Sequence, residues 1–539
     1  MAEEVTTSSA DIHVGHKSDH QSQTHVKSGR DRTRIVLDKY LVFLILILIL
    51  ALAVRIYFFW QFKSQPLWWD ESEHMLMAKH IAFGTPSTGW NESREIIVPL
   101  IFSFFFKLFQ SEVAIRFIQL LLSLAIVFLT YLLGKEMFDK SIGLIASFLM
   151  AIFFQFLFWG LRFGYEIFGM VFLLLAILFF WKGYFKKEKN YYIYLAAVFG
   201  ALAVMTSSKE GLVALSVFVF LFLSDRFAFL KNKHFWITIL VGIALTVPYM
   251  LYYKSTTGHF LPRASTTATA VTAAQEAGGW SWSNFFLFSF DMRTMLFLPF
   301  LIVFLIGLIY ILVNLVLGFD LVIKKIEEIK DNDNAKNLFL FLWILSILGT
   351  FSYFLAITPG GYPEHRFLLE TFPAIFIITA QGFMKIYDWV KPYNKEIAIG
   401  LIVLILVVGA FFQLRAANNL IAGRAPAFLE VKEAALWMKD HSQEGDWIIT
   451  NSAPQTTYYA ERPVWGVPGD YTEEQFEGKI KELRPKFLVV SVFEFSPQWY
   501  YDWPQRNAQS VQLAQAYTTQ QGGQERPLIL IYEFINYNF

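Results

Sequence analysis

Long apolar runs dominate the chain, and short polar or basic stretches interrupt them at intervals. Eleven such runs lie near 40–60, 113–134, 141–158, 166–184, 191–208, 211–224, 235–253, 294–318, 338–357, 367–384 and 396–413. A helix needs about 20 apolar residues to cross the hydrocarbon layer, and it satisfies its own backbone polar groups on the way. The pattern therefore predicts a polytopic α-helical membrane protein with about 11 transmembrane helices. Very short connections join the third to sixth runs and make them antiparallel neighbours. The segment 97–110, IVPLIFSFFFKLFQ, is too short to span and reads as a helix lying along the interface before the second span.

The pattern changes at both ends. Residues 1–38 are rich in Ser, Thr, Asp, His and Lys and contain no apolar run, which predicts a disordered tail. Its histidines, His13, His16, His20 and His25, read as solvated. Beyond about 420 the hydropathy falls, and 421–539 reads as a small C-terminal α/β domain. Its elements are a helix near 428–441, a strand DWIIT, a helix after Tyr471, and strands KFLVVSV and LILIYEF. The middle region, 39–420, carries a first long loop at 61–97 and a second at 254–293. The second is rich in small residues and suits a mobile lid.

Charge orients this plan. Lys135 and Lys140, the Lys182/Lys186/Lys187/Lys189 group, Arg226/Lys231/Lys233, Lys324/Lys325/Lys330/Lys336 and Lys385/Lys391/Lys395 all fall on one side with the basic tail. The excess of lysine and arginine predicts that this side, with the N-terminus, is cytoplasmic, and that the C-terminal domain is extracytoplasmic in a multi-pass cell-membrane protein. Composition agrees: 55% of residues are hydrophobic, 17% are charged, and mean hydropathy is +0.44. A net charge of +1 gives no reason to expect nucleic acid. With no cysteine, disulfides and thiolate chemistry are excluded.

Candidate chemistry collects on the outer side. The first loop opens Pro66-Leu67-Trp68-Trp69-Asp70-Glu71-Ser72-Glu73-His74, with adjacent carboxylates after two large aromatics. The carboxylates also suit the first turn of a helix, where they complement its dipole. Arg116, Arg162, Glu166, Lys209, Glu210, Arg366 and Glu370 lie at the outer ends of predicted spans. Each alone is readily a snorkelling cation or a structural ion pair, but their collection on one face points to a shared cavity. A carboxylate beside such a cavity suits transfer of a sugar from a phosphate-linked lipid to a hydroxyl, with the carboxylate as general base and cations on the leaving phosphate. The chain carries neither a Gly-rich nucleotide fingerprint nor an H-E-x-x-H metal spacing. Tyr458, Tyr459, Trp465, Trp499 and Trp503 are candidate sugar-stacking residues in the C-terminal domain.

These segments resemble the GT-C superfamily of glycosyltransferases, in the family-39-like branch of protein O-mannosyltransferases and lipid A aminoarabinose transferases. The resemblance rests on Asp70-Glu71, Val98-Pro99-Leu100 with Ala114-Ile115-Arg116, Arg162-Phe163-Gly164-Tyr165-Glu166, Lys209-Glu210-Gly211, and His365-Arg366-Phe367 leading into Phe372-Pro373. It implies the GT-C fold over most of 40–420. It implies Asp70 as catalytic base with Glu71 and Glu166 beside it, and Arg116, Arg162, Lys209, Glu210, His74, His365 and Arg366 as substrate-binding residues. The implied donor is a polyisoprenyl-phosphate sugar, dolichyl or undecaprenyl, with a protein, lipid or glycan acceptor. Inverting displacement without cofactor or obligatory divalent metal is implied too. Glu166 stands where relatives often carry Asp, and His74 where they often carry Tyr. The alternatives are an oligosaccharyltransferase-like enzyme using a lipid-linked oligosaccharide, and a lipid or sugar transporter.

Overall fold

The computed structural model describes residues 38–263, 272, 279–317, 333–358, 362–521 and 524–539. The tail predicted over 1–38, much of the 254–293 loop and most of the Lys324–Lys336 group lie outside them.

Each of the eleven predicted runs is helical, the third as two helices. In chain order the α-helices of six or more residues before the C-terminal part are α1 (Lys39–Phe62), α2 (Trp69–Phe83), α3 (Ile97–Phe109), α4 (Glu112–Met137), α5 (Lys140–Ile152), α6 (Phe154–Trp159), α7 (Tyr165–Phe180), α8 (Tyr191–Thr206), α9 (Gly211–Asp225), α10 (Lys233–Thr257), α11 (Leu287–Leu317), α12 (Asp333–Ile357), α13 (Phe372–Val390) and α14 (Lys395–Arg424). Among the described residues, eight helical stretches are long and apolar enough to cross a membrane. α1, α11 and α14 turn exposed leucine, isoleucine and valine outward, as lipid-facing helices do. The segment 97–110 is indeed a short helix, α3: it buries Val98, Phe102 and Phe106 and exposes Leu100, Phe104 and Leu108.

Membrane helices pack most closely where side chains are smallest. A Cβ built on Gly307 of α11 would lie 2.2 Å from the Ile378 carbonyl oxygen of α13, and one on Gly382 would lie 2.2 Å from the Val303 oxygen. The two backbones touch there. The third predicted span is broken: Phe153 takes an extended backbone between α5 and α6. α11 is kinked at Phe297, just before Pro299. Both breaks free backbone groups that lipid cannot satisfy. Gln413 of α14, 1% exposed, satisfies one at each. Its Oε1 accepts from the Phe154 amide at 3.0 Å, and its Nε2 donates at 2.8 Å to the carbonyl of Met295, the oxygen that Pro299 has no N–H to reach.

The C-terminal part adds α15 (Leu429–Asp440), β1 (Ile448–Ile449), α16 (Ala453–Ala460), β2 (Val464–Trp465), α17 (Glu473–Leu483), β3 (Phe487–Ser491), α18 (Gln498–Arg506), β4 (Val511–Gln521) and β5 (Gln524–Phe534). The sheet order is β2-β1-β3-β5-β4, parallel from β2 to β3 and antiparallel beyond. Fully buried β3 forms its centre. α16 docks this part onto the first loop. The Leu67 amide donates to the Tyr459 hydroxyl at 2.9 Å, the Tyr458 hydroxyl donates to Glu112 at 3.3 Å, and the Val464 amide donates to the Thr88 hydroxyl at 2.8 Å.

Candidate active site

Where the first loop, the α6–α7 turn, the segment before α13 and the end of α14 converge, they enclose a cavity of about 410 Å³. Its walls combine aromatic faces, among them Trp68, Trp159 and Phe428, with carboxylates and guanidinium groups.

The first turn of α2 carries Asp70 and Glu71, with Glu73 just beyond it, and the structure gives each a different role. Glu71 turns inward and is 4% exposed. It accepts from the Trp68 and Phe163 amides, each at 2.9 Å, and from Arg162 Nη1 at 2.9 Å, with Arg116 Nη1 at 3.9 Å. Asp70 faces the cavity with about a quarter of its side chain exposed (26%). Arg94 Nη2 lies 2.5 Å from its Oδ1, and Arg366 Nη1 lies 2.6 Å from its Oδ2. Burial acts to raise the Asp70 pKa, but the charges and hydrogen bonds of Arg366 and Arg94 outweigh it and hold the carboxyl well below the usual range. Glu73 shares Arg94, whose Nε lies 2.5 Å away. Burial there outweighs the arginine, and Glu73 is pushed up to about 7.

The remaining predicted residues divide into two groups. Arg162, stacked 3.5 Å over the Trp68 ring, and Arg116 are at most 1% exposed and bind Glu71, Arg162 from the cavity wall and Arg116 from behind it. Glu166, in the first turn of α7, lines the cavity with Oε1 3.9 Å from Arg366 Nη1. Gly164 makes room for it, since a Cβ there would lie 2.0 Å from Glu166 Oε2. Arg366 also pairs with Glu364 at 2.5 Å. His365 bridges Asp291 and Gln155, each at 3.1 Å. His74 is fully buried, edge-on to Tyr165, and lowered to about 3 chiefly by burial, so it is neutral.

Lys209 and Glu210 do not line this cavity. Lys209 Nζ pairs with Glu370 at 2.8 Å and approaches the Arg366 carbonyl at 3.4 Å. Glu210 is 1% exposed, and burial pushes its carboxyl well above the usual range. It faces a separate apolar cavity of about 400 Å³ among α7, α8, α9 and α10.

Sequence reasoning missed Arg94, Glu364 and Arg424. Arg94 sits inside a loop with no motif. Arg424, at the end of α14, lines the cavity beside Trp68, with its guanidinium carbon 5.8 Å from the ring. Of the arginines lining the cavity, Arg162 and Arg366 are paired with carboxylates, whereas Arg424 has no carboxylate within ion-pair distance among the described residues. Nor do the described residues group three His, Asp or Glu side chains as a metal site would.

Residues 93–252 match the profile of the dolichyl-phosphate-mannose-protein mannosyltransferase family. That interval takes in Arg94, Arg116, the α6–α7 turn and Lys209-Glu210. No curated protein matches the chain in sequence. Among solved structures, apo ArnT from Cupriavidus metallidurans superposes with a TM-score of 0.63 at 11% identity, over 92% of this chain and 98% of its own. The same protein bound to undecaprenyl phosphate gives 0.61 at 12% identity, over 91% and 98%. The Archaeoglobus fulgidus oligosaccharyltransferase AglB, in complex with an inhibitory peptide and a dolichol-phosphate, gives 0.59 at 13% identity, over 84% and 69%. The fold is thus shared with both.

Proposed function

From a GT-C fold whose polar cavity opens at one end of the bundle, we propose that the chain is a membrane glycosyltransferase. It moves a monosaccharide from a polyisoprenyl-phosphate donor to an acceptor hydroxyl. The observation that carries this reading is Asp70, ionised and clamped between Arg94 and Arg366 on a cavity wall that also presents aromatic faces and the uncompensated Arg424. The ligands named for the two solved relatives, undecaprenyl phosphate for ArnT and dolichol-phosphate for AglB, support the donor class.

Asp70 accepts the acceptor's proton while its oxygen attacks the anomeric carbon. The bond from that carbon to the phosphate oxygen breaks, the anomeric centre inverts, and the lipid phosphate leaves with the negative charge. Arg366 and Arg424 stabilise that charge by charge-assisted hydrogen bonds. A carboxylate held this tightly by two arginines is a weak base. The donor phosphate draws Arg366 toward itself and loosens that clamp, so Asp70 gains basicity once donor is bound. Glu166 holds Arg366 from the other side, and Glu71 positions Asp70 from behind.

Guanidinium groups supply the positive charge at the leaving phosphate, so no divalent metal is obligatory. Transfer by enzyme dialysed against EDTA should match the untreated rate, and a loss restored by a divalent cation would refute this. A cavity of about 410 Å³ lies at the small end of ligand sites, which favours one sugar with its phosphate over an oligosaccharide donor. The site lies at the end of the bundle opposite the Lys182/Lys186–Glu136 cluster, and the positive-inside rule makes that end extracytoplasmic. The deciding assay is radiolabelled sugar transfer from a panel of polyisoprenyl-phosphate monosaccharides by protein in detergent. Transfer by wild type and its loss in Asp70→Asn with donor binding retained is the expected result; full activity in the variant would remove Asp70 from the role of base.

A further inference from the structure

A third cavity, of about 480 Å³, lies between the first loop and the sheet edge. Trp69 lines both it and the cavity that holds Asp70, and is the one residue their linings share. On the far side stand Trp465 of β2, Glu494 and Phe495. Trp465 is held stacked on Phe476, with ring centroids 6.1 Å apart and planes at 21°. Phe495 projects almost freely at 85% exposure. Asn451 braces this wall: its Nδ2 donates to the Ser496 hydroxyl at 2.8 Å and its Oδ1 accepts from the Val467 amide at 2.7 Å. Of the five aromatics that the sequence offered for stacking, Trp465 alone lines this groove. Tyr458, Tyr459 and Trp503 are buried, and Trp499 packs against Phe476.

We infer that this groove is the acceptor subsite and that it takes a neutral carbohydrate, stacked on Trp69, Trp465 and Phe495 and hydrogen-bonded to Glu494. The inference rests on the glycosyl-transfer reading and names the acceptor that reading leaves open. Three observations select the ligand. The groove and the reaction cavity share Trp69 in their linings, so a chain lying in the groove brings its end beside the wall that carries Asp70. Its lining has aromatic faces and one carboxylate but neither Lys nor Arg, which disfavours a phosphorylated or otherwise anionic acceptor. The outer edge of β2 is already capped, because the Val464 amide donates to Thr88; an extended peptide cannot add there as a further strand. Sugar rings present apolar C–H faces to aromatic rings and hydroxyls to carboxylates, which matches what remains. Burial also pushes Glu494, held by the Ser452 hydroxyl, up to about 7, so near neutrality the carboxyl can both donate and accept.

The test is saturation-transfer NMR on the full-length protein in detergent, with three probes: a neutral oligosaccharide, its sulfated counterpart and a Ser/Thr-rich peptide. The neutral oligosaccharide should bind, and the other two should not. Phe495→Ala and Trp465→Ala should each weaken that binding about tenfold; Phe495 is the cleaner probe because its ring supports no core packing. Leu513→Ala, exposed on β4, should leave it unchanged, as should Asp70→Asn. Absent binding, binding insensitive to both aromatic variants, equal binding of the sulfated probe, or Trp465-dependent binding of the peptide would each overturn the inference. The readout needs no turnover. Donor-dependent transfer lost in Asp70→Asn but untouched by Phe495→Ala would therefore sink the acceptor subsite alone, whereas carbohydrate binding without any transfer would sink the glycosyltransferase reading.

Discussion

Asp70 and Glu71 are neighbours in the chain, meet two arginines each, and end in opposite environments. Glu71 lines the same cavity but is 4% exposed, and Arg162, Arg116 and two backbone amides use up both its oxygens. Asp70 faces a cavity, and its two arginines come from a loop and from the approach to α13, where a ligand can reach them. One helical position, a rotation of about 100°, separates an anchor from a reactive group. Charge pairing alone therefore does not reveal function in this fold. What distinguishes the two is whether the partners can be recruited by something else.

Substitutions that leave shape intact sharpen the contrast. Asp70→Asn should lower transfer by about 10²–10⁴-fold, the usual share of a general base, with the thermal unfolding midpoint in detergent hardly moved. Glu71→Gln should do the reverse. Breaking a buried ion pair costs about 3–5 kcal/mol, so the unfolding midpoint should fall markedly while activity per folded molecule falls far less than in Asp70→Asn. If the two variants behaved alike, the distinction between anchor and base would be lost. Arg424→Ala should raise the KM for donor about tenfold or more, the worth of one hydrogen bond to a charged group, with Arg424→Lys recovering part of it.

The smallest effect concerns Glu73. Its folded pKa of about 7 lies above the ordinary 4.5, so the folded chain binds that proton more tightly and loses stability as pH rises from about 4.5 to 7. Glu73→Gln should remove that slope. Its unfolding midpoint relative to wild type should climb across the window and level off above it. Asp70 works in the opposite sense, since its depressed carboxyl adds stability above the usual carboxylate range and loses it only in strong acid. A curve parallel to wild type would mean that Glu73 does not titrate there.

The apolar runs were legible because lipid demands them, and all eleven are helical, but only eight helical stretches among the described residues are long and apolar enough to cross. Their breaks were less so, since Phe153 sits within an unbroken apolar run, and Pro299 signals a kink in α11 without placing it at Phe297. In the C-terminal part, β3 and β5 show themselves as apolar runs, but β4, VQLAQAYTTQQ, is mostly polar and becomes a strand only by pairing with β5. At the site, the charged residues at span ends pointed to one face, and Asp70, Glu166, His365 and Arg366 line one cavity there. Lys209 and Glu210 belong to a neighbouring pair and pocket, a division that hydropathy cannot express. Arg94 and Arg424 were invisible because their position depends on contacts between segments far apart in sequence.

Gln413 gives α14 a fixed origin. Eleven positions further along the same helix lies Arg424, three turns on, nearly the same face and about 16.5 Å away. Because the amide is fastened at both ends to broken helices, α14 can neither slide nor rotate without stripping a carbonyl and an N–H of their partners in lipid. The helix thus acts as a ruler, with its zero mark deep in the bundle and its reading at the cavity wall. A leucine at 413 would fit the apolar surroundings and unfasten the mark, and the error would be read out three turns away as a misplaced cation.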